Sequence, residues 1–178
     1  MTFESSNYFS FPLSWQSPPS NLRAGLVAVA SIALLSALTT FAALAFITCR
    51  FTTWKAALNQ PLVLIFNLLL GDLFQAVGFA LDFHWYRIDA ILAPSTTCRV
   101  QGAFINFGDL ASGLFVLAIA IHTWYSIARG QRMNTCGFYT IVSFAWLLSF
   151  VLTIIGPIQH GNSFFVRAGN WVSLPITR

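Results

Sequence analysis

Residues 66–75 read FNLLLGDLFQ, inside an apolar run that begins at Pro61. Near the middle of that run stands an aspartate, Asp72, five residues after an asparagine, Asn67. In a soluble helix the carboxylate would swing toward water. At the centre of a membrane span it costs about 2.5–3.5 kcal/mol on insertion scales. The solvent around this helix therefore decides the fold, and composition identifies it. Of 178 residues, 57% are hydrophobic and 8% charged, against roughly 25% charged in an average soluble domain. A globular protein so poor in charge has too little polar surface to cover itself.

The hydropathy is also gathered into blocks. Residues 24–49 contain no ionisable side chain except the terminal Cys49. Residues 61–81 carry one charge, Asp72, and residues 100–128 carry Asp109 and His122. Residues 137–158 carry no charge. Each block exceeds the roughly 20 residues that cross about 30 Å of hydrocarbon at about 1.5 Å per residue. The sequence thus predicts an all-α chain, a polytopic membrane bundle of four transmembrane helices whose partner is the lipid bilayer.

Residues 1–23 are polar, aromatic and proline-bearing, without the basic n-region of a signal peptide, and read as a flexible tail. The loops are 50–60, 82–99 and 129–136, and residues 159–178 form a last outer segment and tail. With the N-terminus outside, the two short loops RFTTWK and RGQR place Arg50, Lys55, Arg129 and Arg132 on the cytoplasmic face with no acid among them. The outer positives, Arg23, Arg87, Arg99, Arg167 and Arg178, are scattered among acids. Density rather than count favours that orientation. The net charge of +4 reads as headgroup anchoring at helix ends and implies no nucleic-acid partner. Cys49 and Cys136 share one membrane face, as reduced thiols or palmitoylation sites, and Cys98 lies on the other with no partner in reach.

Polar and small residues recur at helical spacing inside the spans. Gly71, Gln75, Gly78 and Asp82 form one stripe, with Asp72 one step around. Gly102, Asn106, Asp109 and Gly113 form a second, with Ser112 beside it, and Ser143, Trp146, Ser149, Thr153 and Gly156 a third. Such stripes let helices approach and bond to one another. Intramembrane carboxylates are by default candidates for an ion, proton or switch site. No Lys or Arg stands mid-helix, so Asp72 and Asp109 are protonated, hold a cation with waters, or face a polar group of another segment. His84, His122 and His160 suggest no metal site, and no nucleophile–base pair, phosphate loop or cofactor motif is present. The chain reads as neither an enzyme nor a cofactor carrier.

FNLLLGDLF resembles the second-helix signature of seven-transmembrane G-protein-coupled receptors, an Asn-Leu followed by an Asp-Leu. Cys98 stands where that superfamily begins its third helix, and His122-Thr123-Trp124 where many members have Asp-Arg-Tyr. Trp146 matches the fourth-helix tryptophan, and Pro157 is expected to end that helix. The stretch CRVQGAFINFGDLASGLFVLAIAIHTWYSIARG is similar to the fungal branch related to glucose-sensing and slime-mould cyclic-AMP receptors. The resemblance covers roughly residues 24–171.

It implies a plasma-membrane receptor with its N-terminus outside, a small extracellular ligand and a heterotrimeric G protein as partner. Asp72, Asn67 and Ser112 would form an interior polar switch. Asp109, Asn106 and Gln101 would contribute to a ligand pocket. His122, Thr123, Trp124 and Arg129 would lie at the G-protein face. Cys98 would be the staple to the second outer loop, but Val172 stands where the partner cysteine belongs. The chain then reads as a receptor truncated after its fourth helix, not competent to signal alone. The alternative is a self-contained four-helix scaffold or subunit acting by oligomeric assembly. A transporter comes third, without a visible inverted repeat.

Overall fold

A computed structural model describes residues 14–53, 59–93, 95–160, 164–168 and 171–173. In chain order the elements are β1 (Trp15–Gln16), α1 (Ser20–Thr53), α2 (Gln60–Ala80), α3 (Asp82–Ile88), β2 (Ala90–Ile91), α4 (Thr96–Arg129), α5 (Thr135–His160), β3 (Val166–Ala168) and β4 (Trp171–Ser173). Four helical segments, Ser20–Phe51, Gln60–Ile88, Thr96–Arg129 and Thr135–Gln159, are each long and apolar enough to cross a bilayer. Only 22–28% of their most apolar windows is buried within the protein. Most of that surface faces outward, as Ile32, Leu38, Phe41, Phe144 and Ile158 do. Water would not tolerate so large an apolar exterior, whereas lipid requires one. The chain is all-α, an integral multi-pass membrane protein with four candidate spans.

Local chemistry sets the helix ends. Asn59 precedes α2 in extended conformation and Pro61 lies in its first turn, where a missing N–H costs nothing. Ser95 caps α4, its Oγ accepting from the Cys98 amide at 3.1 Å. Gly130 closes α4 at φ 61, the left-handed geometry that glycine adopts without strain. Pro157 was expected to stop the last helix, but α5 continues to His160. So close to the helix end the ring removes one backbone bond, and the final turn survives it.

Two stretches read as irregular are ordered. In the expected tail of residues 1–23, β1 pairs antiparallel with β2, Ser14 Oγ donates to the Ala93 carbonyl at 2.9 Å, and α1 starts at Ser20. Residues 1–13 of that tail lie outside the described residues. In the expected loop 82–99, α3 carries the second span onward beyond a tightened turn at Leu81, whose amide bonds Gly78 O at 3.2 Å. Asp89 ends α3 in left-handed geometry, φ 54 and ψ 34, and takes an ion pair from Arg23 at 3.3 Å.

Helices α2 and α4 form the central pair, with α1 laid on α2 and α5 on α4. Glycines make the central crossing close. A Cβ on Gly78 would fall 2.7 Å from Ile105 Cγ1, and one on Gly108 would fall 2.6 Å from the Gln75 amide nitrogen. Two apolar clusters hold the ends. Leu26, Trp85, Ile91, Cys98 and Phe165 pack at the end where α1 begins. Leu64, Phe115, Ala118, Phe138 and Ala145 pack toward the end where α2 begins.

Candidate functional site

Two polar rungs cross from α2 to α4, one helical turn apart. Ser112 Oγ donates to Asp72 Oδ1 at 2.6 Å, and Gln75 Nε2 donates to Asp109 Oδ1 at 2.5 Å. The i, i+3 spacing on each helix, 72 to 75 and 109 to 112, puts both members of each pair on one face. The direction alternates, so each helix offers one carboxylate and one neutral donor. Each intramembrane carboxylate thus meets a polar group of another segment. Asp72 and Gln75 also border an open groove of about 480 Å³ between α1 and α2, whose far wall includes Ser36 and Thr40. Asp109 itself is exposed on the flank of α4.

Asn67 belongs to a different connection. Its Oδ1 accepts from Trp146 Nε1 at 2.8 Å, tying α2 to α5, while its Nδ2 returns to the Val63 carbonyl at 2.8 Å. The Trp146 indole lies against Phe107 at 5.7 Å and Phe115 at 5.2 Å between ring centres. A tryptophan N–H pointing inward needs an acceptor in so apolar a setting, and Asn67 supplies it. The three residues expected as one interior switch are therefore divided: Asp72 with Ser112, and Asn67 with Trp146.

A third set lies where α1 begins. Asp82 and Gln101 are fully buried, with Trp85 nearly so. Gln101 Nε2 donates to Asp82 Oδ1 at 2.6 Å, and Trp85 Nε1 donates to Gln101 Oε1 at 2.5 Å. Gln101 was expected at a ligand pocket. Both of its polar atoms are engaged inside the protein, so an incoming ligand would have to break those bonds. Asn106 is half-buried and makes no side-chain hydrogen bond among the described residues. Neither Asn106 nor Asp109 lines the α1–α2 groove.

Cys98 is fully buried beside this set, its thiol donating to the Phe165 carbonyl at 3.4 Å. The segment carrying Phe165 folds back over the helix ends and continues into the antiparallel pair β3–β4. Two glycines seat it: a Cβ on Gly102 would strike the Phe165 ring, and one on Gly156 the Phe164 ring. Cys98 is thus covered by the very segment in which the resemblance places a cysteine, though it meets a backbone carbonyl there.

At the opposite end, His122 is nine-tenths buried. Its Nε2 lies 3.0 Å from Gln60 Oε1, and Gln60 Nε2 donates to the Met133 carbonyl at 2.8 Å. A carbonyl only accepts, so the Gln60 amide orientation is settled, and His122 Nε2 must carry the proton. The rest of the expected cytoplasmic group is not gathered around it. Thr123 and Trp124 are exposed, Trp124 at 69%, and Arg129 lies over the Tyr125 ring at 5.8 Å.

Sequence reasoning passed over Gln60, Trp85 and Phe165. Gln60 and Trp85 fall in stretches that read as loops, where no periodicity singles out a side chain. Phe165 had one signal, the small residues Gly102 and Gly156, whose partners were expected to be helices. Among the described residues no group of three metal-ligating side chains occurs. No family model matches the sequence, and no curated protein does.

Proposed function

We propose that the chain is the N-terminal part of a G-protein-coupled receptor for an extracellular nutrient or cyclic-AMP-like signal, in the plasma membrane with its N-terminus outside. The observation that carries this reading is the Ser112–Asp72 hydrogen bond. It joins the aspartate of the Asn-Leu…Asp-Leu signature to the residue that the resemblance pairs with it. The covering of Cys98 by Phe165 supports the same correspondence, whereas the Trp146–Asn67 bond takes Asn67 out of the switch that the resemblance implies.

A receptor works by shifting between helix packings that a ligand binds unequally. Rungs of single side-chain hydrogen bonds suit such a shift, because each is worth about 0.6–1.7 kcal/mol in a bilayer. The test is a stimulus response in the source cell. Asp72→Asn at the native locus, with surface level measured by an N-terminal epitope, should abolish or lock the second-messenger rise on adding sugar. An unaltered response at unaltered surface level removes Asp72 from the mechanism and the receptor reading with it.

A second reading, a four-helix subunit that works by assembly, is favoured by the exposed Asp109, whose bond among the described residues is to neutral Gln75. Cross-linking in native membranes distinguishes the two. Assembly requires a homo- or hetero-oligomer that Asp109→Leu disperses.

A further inference from the structure

The α2 start, the α4 end and the α5 start enclose a pocket of about 400 Å³, lined by Gln60, His122, Ser126, Arg132, Thr135 and Tyr139 among others. No acidic residue is among its lining residues. We propose that this pocket binds a phosphate monoester carried on a larger polar body, the chemistry of a phosphorylated lipid headgroup at the membrane surface.

Four observations converge on a phosphorylated polar ligand. First, Arg132 is exposed at the mouth and makes no ion pair among the described residues. A guanidinium offers a fork of donors that fits phosphate oxygens. Second, His122 is nine-tenths buried and lines the cavity. Its Nε2–H is committed to Gln60, leaving Nδ1 with no hydrogen-bond partner among the described residues. With the ring proton on Nε2, Nδ1 is an acceptor, suited to a hydroxyl of the phosphate or of the polar body that carries it. Third, the hydroxyls of Ser126, Thr135 and Tyr139 supply neutral donors. Fourth, α2 and α5 both begin at this cavity, and Asn59 makes no side-chain cap on α2. Two helix starts therefore direct their positive ends at one place.

Size and setting narrow the ligand. A volume of about 400 Å³ lies in the small-molecule range of about 300–1,000 Å³, and it exceeds what one inorganic phosphate occupies. Val63, Met133 and Phe138 give the pocket an apolar wall beside its polar groups. The site lies at the end of the bundle that carries Arg50, Arg129 and Arg132, where spans of this length emerge among headgroups. The inference does not depend on the receptor reading.

The test uses the full chain in phosphatidylcholine nanodiscs, titrated with dioctanoyl phosphatidylinositol 4-phosphate and with inorganic phosphate, read by native mass spectrometry. Saturable binding of the phosphoinositide is expected. Arg132→Gln should weaken it at least about tenfold, the loss of one charge-assisted hydrogen bond, and Ser126→Asp should abolish it by placing a carboxylate in the lining. Arg50→Gln, at the same end but outside the pocket, should leave affinity unchanged. Phosphoinositide binding that millimolar inorganic phosphate does not displace identifies a lipid occupant. Displacement by inorganic phosphate supports the site with a soluble phosphate ester as its occupant. Equal weakening by Arg50→Gln and Arg132→Gln, or no saturable binding of either probe, overturns the proposal.

Discussion

Gly108→Ala is the substitution whose outcome the packing defines most sharply. The added Cβ would sit 2.6 Å from the Gln75 nitrogen, 2.7 Å from its Cβ and 2.9 Å from its Cα. Carbon atoms settle at about 3.5–4.0 Å, and two of these three obstacles are backbone, which no rotamer change can clear. Helices α2 and α4 must therefore part by about an ångström at this level. Overpacking of that kind costs about 1–3 kcal/mol. Gln75 is also the donor to Asp109, so the separation stretches a bond worth about 0.6–1.7 kcal/mol. Alanine returns up to about 1 kcal/mol of helix propensity. The net expectation is a loss of about 1–3 kcal/mol.

Gly113→Ala is the matched control. It lies five residues further along the same helix, and its Cβ would meet nothing within 4 Å. That variant should be neutral or slightly stabilising. The assay is reversible unfolding in mixed micelles with increasing denaturing detergent, followed by tryptophan fluorescence. If Gly108→Ala unfolds at the same detergent fraction as Gly113→Ala, the close α2–α4 crossing is wrong.

Further consequences concern the polar contacts. A double-mutant cycle of Ser112→Ala with Asp72→Leu should give a coupling of about 0.5–1.7 kcal/mol; additive effects would separate the two residues. Cys98 should resist maleimide in mild detergent while Cys49 and Cys136, both exposed, react within the same time. Phe165→Ala should release that protection, and equal reactivity of all three thiols in the unmodified chain would refute the covering of Cys98. Trp146→Phe should destabilise by about 1–2 kcal/mol by stranding Asn67 Oδ1. Pairing it with Asn67→Leu should recover part of that loss, as removing both partners generally does.

Much of the architecture was legible because lipid leaves a coarse signature. Four largely apolar blocks of 21–29 residues can hardly be anything but spans, and helical spacing placed Gly71, Gln75 and Gly78 on the face that meets α4. Where the reading failed, the deciding contact was long-range. The tail and the 82–99 loop order one another through β1–β2 pairing, which neither segment announces alone. Gly102 and Gly156 fit a helix-packing stripe by spacing, but they seat two phenylalanine rings from a segment with no periodicity. Gly113 shares the Gly102 stripe, yet a Cβ added there would meet nothing within 4 Å among the described residues. Spacing fixes which side of a helix a residue occupies. What arrives on that side depends on the rest of the chain.

The stretch Gly71-Asp72 shows why stability and the candidate site cannot be varied independently here. Serine is a short donor: its oxygen lies one bond beyond Cβ, so Ser112 reaches a carboxylate on another helix only if the helices nearly touch. A Cβ on Gly71 would lie 3.0 Å from Ser112 Oγ and 3.1 Å from the Ser112 nitrogen, tighter than ordinary contact. The glycine therefore opens the space in which its neighbour, Asp72, receives the hydroxyl at 2.6 Å. Filling that space would move the donor before it touched the acceptor. An aspartate at this depth is tolerated because a neutral donor is held against it by backbone proximity, and the residue before it supplies that proximity. A Gly71→Ala change should thus mimic Ser112→Ala in any measurement of Asp72, although it removes no hydrogen-bonding group.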